Sequence, residues 1–77
     1  MKEREVFMKA IGTNIRFFRE QNHLSQEKLA VLMGVDRSLV SKWERGTVPI
    51  TADRMMKIAS LFGIGVSLLY NVTEMDL

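Results

Sequence analysis

Phe7, Ile11, Ile15 and Phe18 recur at intervals of three and four, the period of one buried stripe on an α-helix, and predict a first helix over 5–21. Asn22 and His23 close it, and one of the two is expected at a positive φ, because both residue types tolerate the left-handed conformation that commonly ends a helix. Ser25 is a good N-cap for "QEKLAVLM", in which Leu29, Ala30, Leu32 and Met33 form a second apolar stripe before Gly34 stops it. Asp36 can cap a third helix running through Arg45, and Gly46 ends that one. "TVPI" reads as a loop, since Pro49 and the residue before it both disfavour helix. Thr51 then caps "ADRMMKIASLF", with Ala52, Met55, Ile58, Ala59 and Phe62 inward and Asp53 favourably placed in the first turn. Gly63 and Gly65 break the chain again, and "VSLLYN" suggests a last short helix. No run alternates apolar and polar residues for long, no segment repeats and no low-complexity linker is present. The expectation is an all-α fold of five helices.

The chain has 77 residues, enough for one small core and too few for two, so residues 1–77 are expected to form a single domain. Apolar residues make up 47% and charged residues 26%, which suits a folded chain better than a disordered one. With no cysteine, neither disulfides nor a thiolate metal site can stabilise it, and helix packing must. The N-terminal "MKEREVFMKAIG" carries charges where a signal peptide needs its apolar run, and no apolar stretch approaches the ~20 residues of a membrane span. A cytoplasmic location with no membrane partner is therefore expected. A net charge of +2 permits a polyanionic partner without announcing one, so the distribution of charge matters more than its total.

That distribution is uneven in "GVDRSLVSKWERG", residues 34–46. An advance of roughly 100° per residue puts Leu39, Val40 and Trp43 on one side of the third helix and Arg37, Ser38, Ser41, Lys42 and Arg45 on the other. A basic, small-residue face on a helix joined to its predecessor by a few residues around a glycine has the build of a helix-turn-helix DNA reader. Arginine offers a fork matching guanine O6 and N7, lysine a point charge, and serine a group that donates or accepts. An arbitrary basic helix is more often just a solvated face; here the wider pattern decides.

The strings "IGTNIRFFRE", "LSQEKLAVLMGV", "RSLVSKWERG", "KIASLFGI" and "SLLY" stand in order over about residues 11–70, and the chain resembles the lambda-repressor-like helix-turn-helix family of phage repressors, Cro proteins and many bacterial regulators. Residues 1–10 extend the first helix beyond the resemblance, and 71–77 form a C-terminal tail. The resemblance implies that Arg37, Ser38 and Lys42, with Ser41 beside them, read base edges of double-stranded DNA. It implies that Gln26 touches a backbone phosphate and braces the reading helix, and that Arg45 and Thr47 of the loop region lie along the backbone, where Lys28 and Asp36 are also expected. Arg19 and Glu44 match an ion pair linking the first helix to the third. The chain departs from the family pattern at Asp36, where serine or threonine is common, at Leu39, where a small polar residue is common and packing is the favoured role, at Pro49, one place early, and at Gly65, Ser67 and Leu68 in the last helix.

His23 has no cysteine or acidic cluster at ligand spacing, so no metal is expected, and a triad with Ser25 and Asp36 conflicts with their use as caps. The methionines mostly fall on apolar stripes as core filler, and no cofactor is expected. Phe17 points away from the main stripe and reads as a lone exposed aromatic or part of an interface. Leu68, Tyr70, Val72, Met75 and Leu77 are more apolar surface than a short terminus buries alone, which suggests a homodimer through Leu68, Tyr70, Val72 and Met75. One reading helix, at about 1–3 kcal/mol of discrimination per base contact, is too weak to select its site in a genome. Two copies on half-sites ~34 Å apart suffice and imply a near-palindromic operator. The leading expectation is a repressor. Alternatives are a restriction-modification controller, or an antitoxin whose protein partner is a toxin; contact with RNA polymerase is a further possible partnership. An enzyme is remote, for want of a nucleophile, metal set or phosphate loop.

Overall fold

The computed structural model describes residues 2–72, and among them are helices α1 (Lys2–Gln21), α2 (Gln26–Met33), α3 (Arg37–Arg45), α4 (Ala52–Phe62) and α5 (Val66–Leu69), with no strand. The fold is all-α. Helix α1 begins at Lys2, earlier than the apolar stripe indicates, because Glu3 and Glu5 favour the positive end of the helix dipole ahead of the first apolar residue. It ends at Gln21, and His23, with a φ of 55°, is the left-handed residue of the closing turn. Ser25 caps α2 by accepting from the Lys28 N–H at 3.0 Å, and Thr51 caps α4 by accepting from the Arg54 N–H at 3.4 Å. Asp36 holds the extended N-cap backbone of α3, but its carboxylate accepts no capping hydrogen bond, contrary to the expectation from the sequence. The carboxylate instead stands exposed beside the exposed Arg37 and Ser38.

Although no sequence segment repeats, two helix pairs share one local plan. After α2, Gly34 (φ 70°) turns the chain, and the Val35 N–H closes the turn on the Ala30 carbonyl at 3.0 Å. After α4, Gly63 (φ 68°) does the same, with the Ile64 N–H on the Ala59 carbonyl at 3.0 Å. Each glycine satisfies helix-terminal carbonyls, and Val35 or Ile64 then packs back on the core. Helix α1 lies across both pairs. Ile15, Leu29, Val40, Met55, Ile58 and Leu69 are fully buried where the helices meet, and Trp43 and Phe62 complete the core. Three residues expected inward, Phe7, Leu32 and Ala52, are exposed instead, as is Met56. Leu32 and Ala52 lie at the margins of their stripes, where no neighbouring helix arrives to cover them.

Gly12 explains why α1 can lie so close to α3. A β-carbon there would sit 2.5 Å from the Glu44 carbonyl oxygen and closer still to that of Trp43, so only a residue without a side chain admits this approach. Gly46 repeats the device from the other side, since a β-carbon on it would meet the Lys9 backbone at 2.7 Å.

Candidate nucleic-acid interface

Helix α3 owes its placement to one side and presents the other. Val40, Trp43 and Glu44 are buried, and Leu39 packs partly against the core rather than facing outward. Arg37, Ser38, Lys42 and Arg45 are exposed on the opposite side. Ser41 lies between them, half-buried, with its carbonyl accepting from Arg45 Nε at 3.4 Å. Lys28 and Asp36 are exposed, and Thr47, also exposed, donates through Oγ1 to the Lys42 carbonyl at 3.2 Å, tying the loop to the end of α3.

Beneath this face runs a connected polar network. The buried Arg19 guanidinium meets the buried Glu44 carboxylate with both prongs, Nε to Oε2 at 2.6 Å and Nη2 to Oε1 at 3.0 Å. Its remaining nitrogen, Nη1, donates to the Leu24 carbonyl at 2.7 Å. The hydrogen bonds that Arg19 donates to Glu44, and the charge of that carboxylate, hold the Arg19 pKa above its ordinary value, against the opposing effect of burial. A shift in that direction stabilises the fold at every pH below the arginine's own titration, so no acidification weakens the pair from the arginine side. Gln26, at the start of α2, donates to Glu44 Oε1 at 3.0 Å and accepts from Arg37 Nη1 at 3.1 Å. A chain of hydrogen bonds therefore leads from a buried ion pair, through an amide, to a guanidinium on the exposed face of α3. Such a chain restricts the rotamers of Arg37 before any partner arrives.

The carboxyl-terminal residues proposed for association divide. Leu68 is 46% exposed, Tyr70 and Val72 are half-buried, and Met75 lies outside the described residues. Tyr70 is already engaged within the chain, its ring stacked on Phe7 with centroids 6.4 Å apart. Phe17 is 53% exposed and meets Phe18 edge to face. Sequence reasoning missed Gly12, although a glycine inside an otherwise regular helix is itself the available signal. It also missed Asn14, whose amide donates to the carbonyls of Leu69 at 3.0 Å and Asn71 at 2.9 Å and so ties α5 to α1. No local signal marks that contact. Among the described residues, no group of three or more His, Cys, Asp or Glu could hold a metal ion, and no helix is long and apolar enough to cross a membrane.

Two helices joined by a tight glycine turn, the second buried on one side and basic on the other, and both held by a long first helix, define a lambda-repressor-like DNA-binding domain. The helix-turn-helix family model matches residues 15–69, and the chain belongs to that family. It is similar to an uncharacterised HTH-type transcriptional regulator of Sinorhizobium medicae (strain WSM419), with 32% identity over 60 residues, 78% of this chain and 43% of that protein. The chain thus spans less than half the length of the curated relatives that it matches. Among solved structures it is similar to the restriction-modification controller protein C.AhdI from Aeromonas hydrophila, with a TM-score of 0.76 and 35% identity over 82% of this chain and 96% of that one. It is also similar to the hypothetical transcription factor NHTF from Neisseria, with a TM-score of 0.80 and 30% identity over 90% of this chain and 79% of that one.

Proposed function

We propose that this chain is a sequence-specific, double-stranded DNA-binding transcriptional regulator, a homodimeric repressor that sets α3 of each copy in the major groove of a near-palindromic operator. The observation that carries this reading is the division of α3: Arg37, Ser38 and Lys42 stand clear of the fold while Val40 and Trp43 anchor the same helix. In this reading Arg37, Ser38, Ser41 and Lys42 face base edges. Gln26, Lys28, Asp36, Arg45 and Thr47 line the phosphates, with the N-terminus of α2 adding its dipole. Asp36 repels phosphate and acts there as an excluder rather than an attractor. The Arg37–Gln26 hydrogen bond supports the assignment, because a guanidinium aimed in advance loses less freedom on meeting a guanine. The reading is of a binding protein without catalytic activity.

Selection of bound sequences from random DNA tests this directly and is expected to return an inverted repeat with half-sites about one helical turn apart. Arg37→Ala is expected to relax preference at one base-pair position per half-site at a cost of about 1–3 kcal/mol there, while Arg45→Ala weakens operator and random DNA alike. Equal losses on both DNAs for Arg37→Ala would refute the base-reading role. Dimerisation through Leu68 and the residues that follow is read by sedimentation: a monomer that binds its operator with undiminished affinity after Leu68→Glu removes this interface.

A second reading is favoured by one observation. The similarity to C.AhdI extends over 96% of that controller's chain, so a restriction-modification controller is the alternative role for the same DNA-binding surface. A restriction endonuclease or methyltransferase gene beside this one, with the selected operator in its promoter, would decide for it.

A further inference from the structure

Away from the exposed face of α3, the first half of α1, residues 48–50 and Tyr70 enclose a groove of about 210 Å³. Phe7 and Met8 of α1, Pro49 and its neighbours, Trp43 and Tyr70 line it. Arg4 is the one charged residue among those lining it; it makes no hydrogen bond or ion pair among the described residues. Trp43 is 2% exposed, and its indole N–H has no acceptor. Four of the lining residues, Arg4, Phe7, Met8 and Ile11, precede the segment matched by the family model, and Tyr70 follows it.

Size and charge narrow the occupant. An apolar cavity of about 150 Å³ accommodates benzene. The present groove is somewhat larger, suiting a single aromatic ring with a short arm and too small for a drug-sized ligand. A free guanidinium at an otherwise apolar groove matches a carboxylate on that arm, through the fork geometry that arginine offers. We infer that this groove is a binding site for a small single-ring aryl carboxylate, with the ring against Phe7, Pro49 and Tyr70 and the carboxylate at Arg4. The inference stands on α1, the 48–50 loop and Tyr70 and does not depend on which residues read DNA, since its test contains no DNA.

Trp43 is the only tryptophan, so its emission reports on the groove. The whole chain is titrated with phenylacetate and with phenylacetamide, its uncharged counterpart. Saturable change with a Kd of about 0.1–1 mM is expected for phenylacetate, with the amide about three- to tenfold weaker. Arg4→Gln is expected to remove that difference while leaving the amide's affinity and the helical circular dichroism unchanged. Amide NMR shifts caused by phenylacetate should centre on residues 7, 8, 48, 50 and 70. The proposal is overturned by no saturable response up to about 20 mM, well past the expected range. Equal affinity for acid and amide overturns it too, as do shifts centred on Val31 and Leu32. So does a more than tenfold gain in affinity on deleting residues 73–77, which would make the chain's own end the occupant.

Discussion

Residues 33–40 and 62–69 pass through the same turn. Each ends a capped helix with a left-handed glycine, returns a β-branched residue to the core, and starts a second helix whose fourth residue, Val40 or Leu69, is fully buried. The position occupied by Arg37 in the first pair holds Val66 in the second, and Val66 packs against the core. Helix α3 continues to Arg45 with a basic outer side, whereas α5 stops at Leu69. Turn chemistry thus orients the second helix in both pairs alike, and the side chains that follow decide whether it becomes a plug or a protruding face. The hold of α1 differs accordingly. It grips α3 through a backbone approach at Gly12 and the Arg19–Glu44 pair, and α5 through the Asn14 amide.

Damage to the grip on α3 is therefore expected to cost most. Arg19→Met leaves the buried Glu44 carboxylate with Gln26 as its remaining partner and is expected to cost about 3–5 kcal/mol in urea unfolding. The double variant Arg19→Met with Glu44→Leu should recover much of that loss, because no buried charge is then left unpaired. A double variant no better than the single one would mean that the pair's geometry, rather than its charge, joins the helices.

Gly12→Ala comes next, at about 3 kcal/mol, since backbone rather than a flexible side chain must give way. A loss below about 1 kcal/mol would show that α1 can retreat from α3 freely. On the α5 side, Asn14→Ala should cost about 1–2 kcal/mol for two carbonyls left without their donor. Asn14→Asp should cost more, because it sets a negative charge against them. Thermal unfolding of the pair gives the order, and an Asn14→Asp variant as stable as Asn14→Ala would point to water replacing the amide.

The smallest effects test the likeness itself. Gly34→Ala and Gly63→Ala meet no atom within 4 Å, so both should lose only the left-handed backbone preference, about 1–2 kcal/mol and similar to each other. His23→Gly, at the corresponding place after α1, should gain about 1 kcal/mol. Unequal glycine losses would break the equivalence of the two turns.

Much of this architecture could be seen in the residues alone. Ser25, Gly34, Gly46, Thr51 and Gly63 act on backbone groups within one helical turn, so they mark helix ends wherever the rest of the chain lies. The two sides of α3 were equally visible, because a helix of known period sorts its own side chains. Asp36 shows where such local rules stop: its residue type suits a cap, but its carboxylate makes no capping bond. For the candidate site, the residues facing outward followed from that period, whereas their links did not. Gln26 joining Glu44 to Arg37, and Phe7 meeting Tyr70 across a groove, depend on where separate helices arrive. The set of helices and the division of α3 thus follow from local residue patterns. Which buried groups meet, how near α1 lies to α3, and the groove beside Arg4 were decided only by tertiary packing, because contacts between residues far apart in the chain form only after whole faces have come together.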